Sequence, residues 1–286
     1  MRQFISPAAP DKNGVIFVTG KDCRHLRQVL RIKPGDMLSV RLPDGSLKNA
    51  TVCRIHEENR VIELQICADT QSMPEGGRTS SEDGGFRGVD AGRVQSAFTD
   101  VEFWLFQFIA KPVKMEQIVR QAAECGVTYI VPVIGAYSQS DCVKAMLSDK
   151  RGRMARIIKE ARQQSGSPVE TAVLPPHSAA DAVKRWQDAA AGNAESRAAA
   201  ILWERSEHTR PLHSILRSKT LRTVAIAVGC EGGIAPGELE LFRAGGFAPV
   251  HFDVNILRCE TAALYGIAAA QSVILENKQW ELKESQ

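Results

Sequence analysis

Apolar and polar residues alternate on two different periods along this chain. Near its start the alternation is short and strict: Val15-Ile16-Phe17-Val18, Met37-Leu38-Ser39-Val40-Arg41-Leu42 and Val61-Ile62-Glu63-Leu64-Gln65-Ile66, separated by Pro-Gly-Asp and Pro-Asp-Gly turns. Period-two runs punctuated in this way predict a small β-barrel or sandwich, with one short helix over Asp22–Arg31. From Phe103 onward the pattern changes. Phe103–Ile109 reads as a buried strand, and Pro112 opens a helix whose Met115, Ile118, Val119 and Ala122 fall at i, i+3, i+4 and i+7 before a stop at Gly126. Tyr129–Ile134, Ala200–Trp203, Thr223–Val228 and Pro249–Phe252 read as strands, and Arg151–Gln164, Ala179–Ala191, Gly237–Ala244 and Cys259–Leu275 as helices. Strands alternating with helices predict an α/β fold built on a parallel sheet covered on both faces, with a ligand site at the strands' carboxyl ends.

Between the two patterns, residues 69–99 carry six glycines, four serines and almost no aliphatic side chains. Such a stretch buries too little apolar surface to offset its ordering entropy, so a flexible linker is expected there. The chain of 286 residues then divides into an N-terminal unit over 1–68, the linker over 69–99, and an α/β unit over 100–286.

Composition adds exclusions. With 44% hydrophobic and 24% charged residues the chain is globular, not collagenous or disordered. Its seven cysteines stand singly, with no Cys-x-x-Cys pair and no Cys/His cluster, so neither a disulfide framework nor a metal site is expected. Net charge is only +3, yet residues 1–68 hold 11 Lys/Arg against 7 Asp/Glu, a balance suited to a polyanionic partner. Residues 1–20 contain no apolar signal-peptide core, and Phe103–Ala110, interrupted by Gln107, is too short to span a bilayer. A cytoplasmic protein without membrane contact is the expectation.

Four segments carry candidate chemistry. Val228-Gly229-Cys230-Glu231-Gly232-Gly233 follows an apolar strand, where glycines let backbone N–H groups approach a ligand; an ordinary turn is the alternative, and the segment matches neither the P-loop nor Gly-x-Gly-x-x-Gly. Ile256-Leu257-Arg258-Cys259-Glu260-Thr261-Ala262 opens the last long helix, where Glu260 complements the helix dipole and Arg258 is either a pairing residue or an anion-binding one. Arg24, Arg27 and Arg31 recur about one helical turn apart, as phosphate contacts or as a solvated basic face. Lys111 stands where the first α/β strand ends, suited to RNA or simply to water.

Taken together and in order, these segments resemble the RsmE family of the SPOUT superfamily. The resemblance rests on His25-Leu26-Arg27-Gln28-Val29-Leu30-Arg31 with Gly35-Asp36, on Lys111–Val127 (KPVKMEQIVRQAAECGV), on Glu160–Ser165, and above all on the pair Val228–Gly233 and Ile256–Ala262. It implies an S-adenosylmethionine-dependent methyltransferase acting on N3 of a uridine in small-subunit (16S) ribosomal RNA. It further implies a homodimer with an N-terminal PUA-like RNA-binding barrel and a C-terminal α/β domain tied in a deep trefoil knot. By the same resemblance, Leu202, Gly229, Glu231, Gly232, Gly233, Phe252, Val254, Ile256 and Leu257 hold the methyl donor. Arg258 and Glu260 stand at the catalytic positions, and Arg24, Arg27, Arg31 and Lys111 meet the RNA. The chain departs from the family pattern at Cys230, at Phe252-Asp253, at Gln139 and at Ser167. Those departures keep two alternatives open: a non-catalytic RNA-binding or ribosome-assembly protein, and a SPOUT enzyme with another RNA target.

Overall fold

The computed structural model describes residues 3–28, 30–56, 58–67, 100–148, 151–189, 196–218 and 220–284; the predicted linker over 69–99 lies outside them. The chain forms two compact units, one of Met1–Gln95 with Gln163–Gly166 and the other of Ser96–Arg162 with Ser167–Gln286.

In the first unit, β1 (Phe4–Ile5), β2 (Val15–Val18), β3 (Met37–Arg41), β4 (Leu47–His56) and β5 (Val61–Ile66) form one sheet in the order β1-β3-β4-β5-β2. Only the β1–β3 pairing is parallel. Alternation places Ile16 and Val18, Val40, Ala50 and Val52, and Ile62 and Leu64 on the buried side. Helix α1 (Gly20–Gln28) closes this core by inserting Cys23 and Leu26. The helix begins two residues earlier and ends three residues earlier than the span expected from the sequence. Arg31 falls beyond its end with φ +54°, so the three arginines do not share one helical face; Arg24 and Arg31 are exposed and Arg27 is half-buried. Strand β4 escaped the pattern because polar residues and a register shift between Val52 and Arg54 blur its alternation.

In the second unit, β6 (Glu102–Phe108), β7 (Tyr129–Ile134), β8 (Ala172–Val173), β10 (Arg197–Leu202), β11 (Thr223–Val228) and β12 (Ala248–Val250) form a parallel sheet in the order β12-β10-β11-β6-β7-β8, and β9 (His177–Ser178) also pairs with β7. Strand β6 is buried almost throughout, as a central parallel strand requires. On one of its faces Phe106 meets Trp186, Phe242 and Phe247 edge-on, which seats α5 (Ala179–Asp188) and α7 (Pro236–Ala244). Against the sheet also lies α8 (Cys259–Glu284), which contacts β6 and β11 and packs on α2 (Pro112–Glu124) and α6 (Leu212–Leu216). Gly266 is the point of closest approach: a Cβ there would stand 2.8 Å from Leu202 Cδ1 and 3.2 Å from Ile226 Cγ2. Two further helices, α3 (Ser140–Leu147) and α4 (Arg151–Ser165), follow β7. No helix among the described residues is long and apolar enough to cross a membrane.

Candidate functional site

Strands β10, β11 and β12 end side by side, and their carboxyl ends open into a cleft of about 350 Å³. This lies within the range of small-molecule sites, roughly 300–1,000 Å³. The apolar floor comes from the last residues of the strands, Leu202, Val228 and Val250, with Ile234 and Phe252. Hydrogen bonds fix the strand ends to one another: Trp203 N donates to Val250 O at 2.8 Å, and the ring Nδ1 of His251 lies 3.2 Å from Trp203 O.

The glycine segment forms one wall as a tight turn. Gly233 N donates to Cys230 O at 3.0 Å, and Gly233 takes φ +78°, a conformation that glycine adopts without strain. Gly229 lies so close to it that a Cβ would meet Gly233 C at 2.8 Å and O at 2.9 Å. Beneath the turn, fully buried Gln107 donates from Nε2 to Val228 O at 3.3 Å and Gly229 O at 3.1 Å. The interruption in the apolar β6 run is therefore the residue that anchors the glycine turn. Cys230 directs its thiol toward Gly233 O at 3.6 Å, and burial raises its pKa, so it stays protonated.

The opposite wall is the segment from Phe252 to Cys259. Phe252 is held edge-on by Tyr265 at 4.9 Å, and Val254 N closes a tight turn onto Phe252 O at 2.7 Å. Val254, Asn255, Leu257 and Arg258 complete the wall, together with Ile256, which is 94% exposed. Arg258 is exposed and has no ion-pair partner among the described residues.

A charged cluster joins the two walls. Lys114 Nζ lies 3.0 Å from Glu260 Oε2 and 3.9 Å from Glu231 Oε1. Glu231 also accepts from Lys111 N at 3.2 Å, placing a carboxylate at the amino end of α2. The hydrogen bond to Glu260 raises the Lys114 pKa, against some desolvation. Burial alone would raise Glu260, but backbone, Lys114 and Cys259 donors hold it below the usual carboxylate range. Cys259 donates its thiol proton to Glu260 at 3.3 Å, and burial with that bond pushes its pKa up to about 12. All four groups are thereby committed: a charged lysine, two carboxylates and a protonated thiol.

Of the residues singled out for the donor, Leu202, Gly229, Glu231, Gly233, Phe252, Val254, Ile256 and Leu257 line this cleft. Gly232 does not. The space its side chain would take is filled by Tyr137, whose Cβ would be 2.8 Å from an added Cβ. Arg258 lines the cleft, whereas Glu260 sits behind the wall in its pair with Lys114. Lys111 is exposed at the start of α2, while Arg24, Arg27 and Arg31 belong to the first unit. The resemblance also implies a wall at the strand end of Leu202 and Trp203 and a second loop over Phe252–Leu257, and Trp203 and Asn255 do line the cleft; Glu204, His251 and Lys114, which line it too, are assigned no role by the sequence. A polar or aromatic residue just past a strand's end was the available signal. No His/Cys/Asp/Glu group able to hold a metal ion occurs among the described residues.

Comparison with known proteins places the chain in a family. The chain is 31% identical over 161 residues to ribosomal RNA small subunit methyltransferase E of Aquifex aeolicus, a match that covers 56% of this chain and 64% of that relative. It is 21% identical over 253 residues to the Bacillus subtilis protein of the same name, covering 88% of each. In fold it matches the ribosomal RNA small subunit methyltransferase E of Neisseria gonorrhoeae, solved bound to S-adenosyl methionine, with a TM-score of 0.69 at 22% identity over 96% of this chain and 98% of that one. These relatives bear out the RsmE resemblance read from the motifs. A model of the RNA methyltransferase domain matches residues 99–271, which include every residue lining the cleft, and the chain belongs to that family.

Proposed function

We propose that this protein is an S-adenosylmethionine-dependent methyltransferase acting on N3 of a uridine in 16S ribosomal RNA. One observation carries the reading: residues 229–233 and 252–258, far apart in sequence, wall a single ligand-sized cleft at the ends of parallel strands. The site fits the donor. Gly229 and Gly233 pack main chain against main chain in the turn that walls the cleft, Leu202, Val228, Val250 and Phe252 provide an apolar bed, and the carboxylate of Glu204 suits a cationic ligand. When bound, the donor supplies an electrophilic methyl group on a sulfonium centre.

The chain's own residues do the rest. The apolar strand ends exclude water, which strengthens every charge interaction in the cleft. Uridine N3 becomes nucleophilic only when its proton leaves, placing negative charge on the imide oxygens. Arg258, unpaired at the rim, is the cation placed to stabilise that charge. Glu260 is poorly suited to remove the proton: its lowered pKa makes it a weak base, and its carboxylate is already engaged by Lys114 and Cys259.

The finer architecture follows from the same reading. The unit over 100–286 forms a SPOUT domain with a deep trefoil knot, the sheet of 1–68 a PUA-like barrel that binds RNA through Arg24, Arg27 and Arg31 with help from Lys111, and two chains form a homodimer in the cytoplasm. The departures at Cys230 and Asp253 do not favour a non-catalytic binder, because the Cys230 thiol turns to Gly233 O and Asp253 lies outside the cleft lining. The test is incubation with labelled S-adenosylmethionine and small subunits lacking the modification, followed by locating the label. Label on uridine N3 supports the proposal. Label on a ribose or another base assigns a different target, and no label contradicts the enzyme reading.

A further inference from the structure

The cluster that joins the two walls of the cleft has a geometry the reaction alone does not require. Lys114 projects from the first turn of α2, Glu231 from the glycine turn, and Glu260 from the start of α8. The two glutamates are 117 and 146 positions away from Lys114 in the chain, yet both carboxylates lie within 4 Å of its ammonium. The lysine side chain is 25% exposed, Glu231 33% and Glu260 11%, so the contacts are partly shielded from water and salt. No other ion pair given by the described residues joins the glycine turn to α8.

We propose that Lys114 is a positioning residue that latches the 229–233 turn to the 256–260 segment, setting the separation of the two walls before the methyl donor arrives. The inference rests on the donor reading of the cleft. Glu260 is the principal partner at 3.0 Å, and Glu231, at 3.9 Å, is steered by the same ammonium while its carboxylate also accepts the Lys111 N–H. The charged forms of both ends of the main pair are the favoured ones, since the Lys114 pKa is raised and that of Glu260 lowered. The donor site is thus held in shape by a lysine and a glutamate that line the cleft and by Glu260 outside its lining. Such pre-organisation increases affinity by reducing the ordering cost at the moment of binding.

The test uses the full chain with Lys114→Met, Lys114→Arg, Glu260→Gln and the Lys114→Met/Glu260→Gln double variant. Calorimetry should show S-adenosylmethionine binding weakened by about tenfold in Lys114→Met, between what exposed and buried pairs are worth, and largely restored in Lys114→Arg. The double variant should bind no more weakly than Lys114→Met, because the two side chains act through one contact. A readout independent of the donor accompanies this: amide hydrogen exchange without ligand should quicken at both 229–233 and 256–260 in Lys114→Met and recover in Lys114→Arg. Faster exchange at only one segment, unchanged exchange at both, or additive losses in the double variant would overturn the latch. Failure of the wild-type chain to bind the donor would instead count against the proposed function, while the exchange data still decide the latch.

Discussion

At the scale of single residues, the site depends on positions where a side chain is missing or a charge is shared. Gly229 has no room for a Cβ beside the Gly233 backbone, at 2.8 Å. Gly229→Ala should therefore displace the turn, costing about 1–3 kcal/mol of strain and weakening donor binding in equilibrium titration by about tenfold or more. Wild-type affinity in that variant would show the turn is not part of the donor site. Charge sharing gives a pH signature. Glu260 contributes stability above the ordinary carboxylate range, and the contribution is lost as pH falls through its lowered folded pKa. Lys114 contributes below the ordinary lysine pKa, and loses its contribution as pH rises through its raised folded value. Unfolding curves of the wild type and Lys114→Met should differ most between about pH 5 and pH 10 and converge at both extremes. A difference independent of pH contradicts the pairing.

At the scale of elements, much was legible and the omissions have physical causes. Helix α2 was readable because Met115, Ile118, Val119 and Ala122 lie on one stripe, and all four are buried, with Pro112 at its first turn. Strands β7 and β11 match their predicted limits because each is a continuous apolar run. Helix α1 ends at Gln28 and not at Arg31, since nothing in the arginine spacing announces the left-handed conformation at Arg31. The short β1, β8 and β9 have too few residues to show a period. One element junction makes its own prediction. Glu238, in the first turn of α7, accepts from Ala235 N at 2.9 Å and from Ala136 N at 2.7 Å, tying that helix to the turn after β7. Glu238→Ala strands two N–H groups and should lower unfolding stability by about 1–3 kcal/mol in chemical denaturation. A change within a few tenths would show that water replaces the carboxylate.

At the scale of the whole molecule, what the sequence could not reveal is convergence. The glycines of 229–233 and the Leu257-Arg258 turn are visible as motifs, but only the sheet order β12-β10-β11-β6 sets the ends of β11 and β12 around one cleft. His251 enters the same site for that reason alone: it follows the end of a strand flanking the opening. Lys114 lies in the Lys111–Val127 segment that carries the resemblance, but its partners have no signature in the sequence, since pairing across more than a hundred residues leaves no local pattern. The most direct test of the account is a calorimetric titration of S-adenosylmethionine into the wild-type protein and into Gly229→Ala. Saturable binding at one site per chain, lost or greatly weakened in the variant, is the predicted result. Absence of binding to the wild type, or equal binding to both, would contradict a donor site walled by these two segments.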